Sequence, residues 1–269
     1  MRILLYNLGA NLLKTERPRI MSEQIIGNTI ICKNIIPSTN TWATNLLKHK
    51  RPPEGTIITT KQQTAGRGHG ANKWESKRGK NLTFSIILYP VFLKANEQFL
   101  LSMAISLGIK DFIELYVNNV YIKWPNDIYV SDDKIAGILI ENSISGNDFD
   151  YCVTGIGINI NQEKFTRDTT NPISLVQLTG RKNSLDDSLN LLCKQLDFRY
   201  NQLREAKNRQ IIKANYLNNL YHYHEFVQFR HENKKFTAKI TGIDSSGRLI
   251  ILHKNGETEK FGFHEVSFA

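Results

Sequence analysis

A glycine-rich, basic segment at positions 61–80 has the residue types that bind an anion. Residues 63–70 read QTAGRGHG, with three glycines in five positions. Glycines let a backbone approach a ligand closely and present its N–H groups to a negative charge. The segment is not a P-loop, because no Gly-Lys-Ser/Thr sequence ends it. It predicts an anion-binding loop, and a flexible basic surface loop is the alternative. The basic residues of the segment are Lys61, Arg67, Lys73, Lys77, Arg78 and Lys80.

The KWPND segment at 123–127 brings a cation, an aromatic ring, a rigid proline and a carboxylate together. A lysine such as Lys123 binds a phosphate oxygen as a point charge. Asp127 is suited to Mg²⁺, which takes oxygen ligands. We expect Trp124 to pack in the core rather than to stack on a ligand. The alternative for the whole segment is a Pro-Asn-Asp turn beside a solvated lysine.

Two apolar strands carry residues that are unusual for a core. Lys134 begins the strand KIAGILIE at 134–141. If its side chain points inward it must pair with a negative group, because a buried unpaired ammonium is very costly. If it points outward it only flanks a turn, and the sequence leaves both possibilities open. In the strand at 151–160, Gly155 and Gly157 alternate with isoleucines, which predicts a face where another group approaches the backbone.

The elements that position these residues follow from the hydrophobic periodicity. Alternating β-branched residues predict strands, and apolar residues three or four positions apart predict helices. From Phe226 onward, short strands and turns predict a small β-barrel or meander of about 45 residues, a common size for an SH3-like barrel. The other predicted strands span 25–36, 56–60, 82–88, 120–124, 128–130, 134–141 and 151–160. The predicted helices span 41–49, with Thr39 or Asn40 as N-cap, then 96–116, a stretch opened by Ser184 and Asp187, and 211–220.

Composition excludes several classes of protein. With 269 residues, 41% of them apolar and 22% charged, the chain is typical of a folded domain rather than a disordered one. Cys32, Cys152 and Cys193 form no CxxC pair, which argues against a zinc ribbon or a disulfide scaffold and fits the cytoplasm. No apolar run approaches the roughly 18 residues of a membrane span. The net charge of +10 attracts phosphates, so nucleic acid, a nucleotide and an acidic partner protein all remain open.

Taken in order, five segments resemble the biotin–protein ligase family, also called biotin–[biotin carboxyl carrier protein] ligases or holocarboxylase synthetases. They are the residues Ser38-Thr39-Asn40, QTAGRG at 63–68 followed by Trp74, KWPND at 123–127, KIAGILIE at 134–141 and GIGIN at 155–159. The resemblance implies an α/β fold, with a mixed sheet flanked by helices and a small C-terminal SH3-like barrel. We expect an irregular extension at 1–20, a catalytic domain for biotin and ATP at 21–221, and the SH3-like domain at 222–269.

The resemblance also implies an activity. The family joins biotin to AMP from ATP with Mg²⁺, and then passes biotin to a lysine of a biotin carboxyl carrier protein of a biotin-dependent carboxylase. We therefore expect ATP, Mg²⁺ and biotin as ligands, a monomer or a homodimer, and neither nucleic acid nor membrane as a partner. The rival interpretations are a lipoate–protein ligase of the same fold and a basic nucleic-acid-binding protein.

The same resemblance implies roles for individual residues of this sequence. Arg67, Lys123 and Lys134 are expected to be catalytic. The residues expected to bind biotin are Ser38, Thr39, Asn40, Gln63, Gly66, Arg67, Gly68, His69, Lys134, Gly137 and Gly155. The residues expected to bind ATP are Trp74, Lys123, Asn126, Asp127 and Asn159, with Asp127 also the expected metal ligand.

Two departures from the family pattern carry expectations of their own. Many relatives have arginines where this chain has His69 and Gly70, and glycine in place of Ala71. A histidine is mostly neutral at pH 7, so we expect biotinyl-adenylate to be held less tightly than in those relatives. In addition, only about 36 residues precede the Ser38 segment, whereas a winged helix-turn-helix needs roughly 60 or more. We expect a ligase without a DNA-binding domain.

Overall fold

The computed structural model describes residues 24–70, 72–166, 171–232 and 234–269. The predicted extension at 1–20 lies outside the described residues. Within those described ranges, no helix combines the length and the apolar character that crossing a lipid bilayer requires.

Seven strands form one mixed sheet, as the sequence predicted. In sheet order the strands are β1 (Ile30–Ile36), β2 (Thr56–Gln63), β3 (Leu82–Leu88), β7 (Asp148–Ile158), β6 (Asp133–Ser145), β5 (Asp127–Val130) and β4 (Val120–Lys123). The first pair, β1 and β2, is parallel and every other neighbouring pair is antiparallel. The sheet therefore gathers segments that are distant in sequence.

Helices cover both faces of this sheet. They are α1 (Thr39–Leu47), α2 (Gln98–Ile113), α3 (Leu175–Thr179), α4 (Leu185–Arg204) and α5 (Arg209–Asn218). On one face, α1 packs on a small core that includes Ile58, Ile87 and Val153. On the other, α2, α4 and α5 bury a larger core that includes Phe84 and Ile156. Burial on both faces explains why β3 is apolar along most of its length.

The start of α1 differs from the prediction. Ser38, rather than Thr39 or Asn40, is the N-cap: its backbone is extended and its hydroxyl accepts a hydrogen bond from Thr41 N. Thr39 and Asn40 already lie inside the helix, which leaves their side chains available for other contacts. The short helix α3 was not predicted, because its five residues make little more than one turn, capped by Ser174 and Gln177. Ser184 does cap α4, as predicted, by accepting from Asp187 N.

The C-terminal part forms a separate antiparallel sheet of SH3-like type. Its order is β11 (Thr258–Phe261), β10 (Leu249–His253), β9 (Lys234–Ile243), β8 (Val227–His231) and β12 (Ser267–Phe268). β11 and β12 are the outer strands in this order, and the sheet is the SH3-like C-terminal part that the sequence predicted as a small barrel or meander. Trp124 is buried as predicted, and its Nε1 donates to Gly247 O of this sheet at 3.0 Å. The domain division at 221/222 stays a prediction.

Candidate functional site

One row of directly paired residues crosses five strands and forms the floor of the site. The row runs Thr83, Gly157, Gly137, Asp127 and Lys123, from β3 through β7, β6 and β5 to β4. Directly paired residues point to the same face of a sheet. The register therefore brings the KWPND segment beside the glycines of two other segments. The sequence analysis grouped these segments in one site but did not predict their register.

A β-bulge decides where Lys134 points. The register of β5 and β6 shifts between Ile128 and Tyr129, so that Tyr129 pairs with Lys134 while Ile128 pairs with Ala136. Strict alternation would place Lys134 on the core face with Ala136, but the bulge re-aims it. Lys134 Nζ lies 2.7 Å from Asp127 Oδ1, on the site face. The Lys134 side chain therefore points inward, toward the site, where it pairs with a negative group, rather than only flanking a turn.

The alternating glycines of β7 are approached by side chains, as predicted. A Cβ at Gly155 would lie 2.3 Å from Asn40 Oδ1, and a Cβ at Gly157 would lie 2.2 Å from Trp74 Cε2. The Trp74 ring also lies over Gly137, where a Cβ would be 3.2 Å from its Cζ3. Helix α1 and the glycine-rich loop therefore both rest on the same strand.

A network of polar side chains joins the start of α1 to this loop. Thr39 N donates to Gln63 Oε1 at 2.8 Å. Ser85 Oγ lies 2.7 Å from Thr39 Oγ1 and 2.6 Å from Asn40 Oδ1. Asn40 Nδ2 donates to Glu141 Oε2 at 2.8 Å, and Arg67 Nη2 donates to Glu141 Oε1 at 2.6 Å.

Ser85 and Glu141 are members of the network that the sequence analysis assigned no role. Both were inside predicted strands. Ser85 is one of two polar residues in a largely apolar strand, and Glu141 ends the KIAGILIE strand. Their positions on the site face follow from cross-strand pairing, since Ser85 pairs with Gly155 and Glu141 with Val153.

Two adjoining cavities occupy the site. The smaller cavity, of about 250 Å³, is lined by the residues assigned to biotin except Gly66. The wider cleft, of about 1360 Å³, is lined by Gly66 and by most residues assigned to ATP, namely Trp74, Lys123, Asp127 and Asn159. Asn126 is the exception, because it lines the smaller cavity and donates from Nδ2 to Ile138 O at 2.8 Å. The two spaces share a wall that includes Arg67, Trp74, Asp127 and Lys134.

The three expected cations have different partners. Arg67 pairs with Glu141 and Lys134 with Asp127, so a carboxylate already offsets each of these charges. Lys123 has no ion pair with an acidic side chain among the described residues; its Nζ lies 3.2 Å from Tyr129 Oη. Burial lowers the pKa of Lys123, and the positive charge of Lys134 adds to this against the opposing effect of Asp127.

A magnesium ion fits this site only in part. Among the described residues, no group of three or more His, Cys, Asp or Glu side chains is placed to hold a metal. Asp127 Oδ1 forms an ion pair with Lys134 Nζ, which leaves Asp127 Oδ2 for a cation. Magnesium in nucleotide sites is commonly held by one or two carboxylates together with substrate phosphates, so a single oxygen is compatible with that mode.

Two buried polar atoms in the wider cleft have no partner within the described structure. They are Trp74 Nε1, a donor, and Asn159 Oδ1, an acceptor. Buried polar atoms are nearly always hydrogen-bonded, so these two atoms are candidates for a contact with a ligand in the cleft. Asn159 is itself held in place, because its Nδ2 donates to Ile173 O at 3.0 Å.

The C-terminal sheet contributes to the cleft, which the sequence analysis did not foresee. His264 Nε2 contacts His69 Nδ1. Val266, Ser267 and Phe268 line the same cleft. Burial lowers the pKa of His69, and His264 lowers it further, while Asp127 opposes the shift.

Comparison with families of known proteins gives two matches. Residues 33–159 match the model described as "Biotin/lipoate A/B protein ligase family". Residues 225–268 match the model described as "Biotin protein ligase C terminal domain".

Individual proteins agree with these matches. The bifunctional ligase/repressor BirA of Bacillus spizizenii is 29% identical over 244 residues, which cover 88% of this chain and 73% of that protein. The biotin–protein ligase of Homo sapiens is 30% identical over 154 residues, 55% of this chain and 21% of that one. The solved biotin protein ligase from Aquifex aeolicus in complex with biotin and ATP is 26% identical, with a TM-score of 0.74 over 90% of this chain and 99% of that chain.

Proposed function

The chain belongs to the biotin/lipoate A/B protein ligase family, and we propose that it is an ATP-dependent biotin–protein ligase. In this proposal it forms biotinyl-5′-AMP and transfers the biotinyl group to a lysine of a biotin carboxyl carrier domain. The observation that carries the proposal is the wall shared by the two cavities, where a ligand from each can meet. The relatives and the solved structure that bear the name biotin protein ligase support biotin as the substrate.

In the first step, a carboxylate oxygen of biotin attacks the α-phosphorus of ATP. A new P–O bond forms, the bond between the α-phosphorus and the oxygen that bridges to the β-phosphate breaks, and pyrophosphate leaves. Both reactants are negative, so the role of Lys123 and Lys134 is to offset their repulsion and the charge of the leaving group. Mg²⁺, when bound with the triphosphate, supplies further positive charge, and Asp127 is the residue proposed to hold it.

The smaller cavity is proposed to hold the biotin ring system. The ureido group of biotin presents one acceptor and two donors, and Ser38, Thr39, Asn40 and Gln63 carry the hydroxyl and amide groups that match them. Gly137 and Gly155 have no side chains that would project from the floor into this cavity. The Gln63–Thr39–Ser85–Asn40 contacts fix these groups before a ligand arrives, which reduces the entropy lost on binding.

In the second step, the lysine ε-amine of the carrier attacks the carbonyl carbon of biotinyl-5′-AMP. The C–N bond forms, the C–O bond to AMP breaks, and the amine loses a proton. The nucleophile belongs to the carrier, so the enzyme needs no nucleophilic serine or cysteine of its own. Cys152 fits this account, because burial raises the pKa of its thiol to about 12 and keeps it unreactive.

Isotope exchange between pyrophosphate and ATP tests the first step. We expect exchange that depends on biotin and is unaffected by lipoate, and we expect Lys123→Ala to reduce it. Exchange stimulated by lipoate and not by biotin would make the chain a lipoate–protein ligase. Salt-sensitive binding to DNA or RNA that survives in Lys123→Ala, without any exchange, would favour the nucleic-acid-binding interpretation. A biotin carboxyl carrier protein as the partner, a monomeric or homodimeric state, and a cytoplasmic location stay predictions.

A further inference from the structure

Lys123 is held by aromatic rings and by a hydrogen bond from its Nζ to Tyr129 Oη at 3.2 Å, rather than by a carboxylate. Its Nζ lies 4.4 Å from the centre of the Tyr129 ring, 5.3 Å from that of Phe268 and 5.7 Å from that of Tyr221. We call these three residues the aromatic cage. The rings also contact one another, with centres 5.7 Å apart for Tyr129 and Tyr221 and 5.4 Å apart for Tyr221 and Phe268.

Two of the three rings come from outside the seven-stranded sheet. Phe268 lies in β12 and pairs through its backbone with Phe229 of β8. Tyr221 follows α5, and its backbone N donates to Ile122 O at 2.9 Å beside Lys123. The Tyr221 hydroxyl donates to Asp132 Oδ1 at 2.5 Å. Both rings are thus anchored independently of Lys123.

An aromatic face attracts an ammonium without neutralising it. A carboxylate partner would cancel the charge of Lys123, as Glu141 and Asp127 offset those of Arg67 and Lys134. A ring attracts the cation through its quadrupole, by about 0.5–1 kcal/mol at an exposed site and about 2 kcal/mol in a desolvated one. The cage therefore positions Lys123 without pairing its ammonium with a carboxylate, and Lys123 and Phe268 both line the wider cleft.

We propose that Phe268 and Tyr221 are positioning residues that hold Lys123 for the phosphates of the nucleotide, so that the C-terminal sheet completes the nucleotide subsite. This inference rests on the proposed function, since it takes ATP as the ligand of the wider cleft. Biotin binding should not depend on the cage, because neither Phe268 nor Tyr221 lines the smaller cavity.

The test replaces the ring and keeps the apolar contact. Phe268→Leu removes the aromatic face, Phe268→Trp restores one, and Phe226→Leu is the matched control. Phe226 lies in the same C-terminal part, with the Lys239 ammonium 5.1 Å from its ring centre, away from both cavities. For each variant, calorimetry gives the Kd of ATP and of biotin, thermal unfolding checks the fold, and biotin-dependent pyrophosphate exchange gives kcat and the two KM values.

We expect Phe268→Leu to raise the Kd and KM of ATP by about 2-fold to 30-fold, the range that corresponds to loss of one cation–π contact. The values for biotin should stay within about twofold, Phe268→Trp should bind ATP like the wild type, and Phe226→Leu should be unchanged. Wild-type ATP affinity in a folded Phe268→Leu, equal losses for ATP and biotin, or no recovery with tryptophan would each overturn the inference. Failure of the proposed function is a separate outcome: the wild type itself would then show no biotin-dependent exchange.

Discussion

Replacing Gly157 with alanine should drive the Trp74 ring into the two cavities. The added Cβ would lie 2.2 Å from Trp74 Cε2, 2.5 Å from Cζ2 and 2.6 Å from Nε1. Carbon atoms in contact prefer about 3.5–4.0 Å, so the ring must move by roughly 1.3 Å or more. It cannot move toward the sheet, and its backbone is tied by the bond from Trp74 N to Gly66 O at 3.1 Å. The remaining direction is into the space proposed for biotin and ATP.

The size of the effect follows from the cost of overpacking. Inserting one methyl group into a packed site costs about 1–3 kcal/mol. If the ligands need the ring where it now lies, that cost appears as a loss of affinity, of about 5-fold to 140-fold at 1.4 kcal/mol per factor of ten. Gly137→Ala is the matched control. Its Cβ would be 3.2 Å from Trp74 Cζ3 and 3.5 Å from Lys134 Cε, so a shift of a few tenths of an ångström relieves it.

Calorimetric titration of both variants with biotin and with ATP measures this difference. We expect Gly157→Ala to fold and to bind both ligands more weakly, and Gly137→Ala to lose less than about threefold. Wild-type affinities in a folded Gly157→Ala would show that the Trp74 ring has no role in shaping the cavities. Equal losses in the two variants would also show this, since the cause would be the glycines and not the ring.

Three further expectations follow from the site. Glu141→Gln should raise the KM of biotin about 3-fold to 10-fold, because Arg67 loses the charge of its partner; an unchanged KM in exchange assays would contradict this. Burial and His264 lower the pKa of His69, against the effect of Asp127, so the folded state favours neutral His69. The stability that this contributes is present above pH 6.5 and is lost as the pH falls below that value. Denaturant unfolding at pH 7.5 and 5.5 should therefore show a smaller fall in the free energy of unfolding for His69→Gln than for the wild type, and equal falls would contradict this. Biotinyl-adenylate should leave faster than from relatives with arginine at the position of His69, and an equal or slower rate would count against that.

Local patterns predicted the strands and the glycines of the site correctly. Alternation over two or three residues is a property of one strand, so the approach of other groups to Gly155 and Gly157 could be inferred from β7 alone. The isoleucines that alternate with these glycines, Ile156 and Ile158, are buried in the core on the opposite face, as expected. The same local reasoning predicted that Trp124 packs in the core.

Contacts between distant segments could not be predicted in this way. The orientation of Lys134 depends on a bulge opposite Ile128 and Tyr129, and bulges leave little trace in a short apolar strand. Glu141 becomes part of the site because sheet order places β6 next to β7 and β7 next to β3. Phe268 and His264 reach the cleft through packing of the second sheet on the first, which periodicity within either one does not encode.

In the proposed function, biotin and ATP meet at the wall shared by the two cavities, and the product modifies a carrier lysine. The most direct measurement is the mass of a biotin carboxyl carrier domain after incubation with this chain, biotin, ATP and Mg²⁺. We expect a gain of one biotinyl group on a single lysine, dependent on ATP and reduced in Lys123→Ala. A carrier of unchanged mass, with a folded enzyme and an active reference ligase run in parallel, would contradict this expectation.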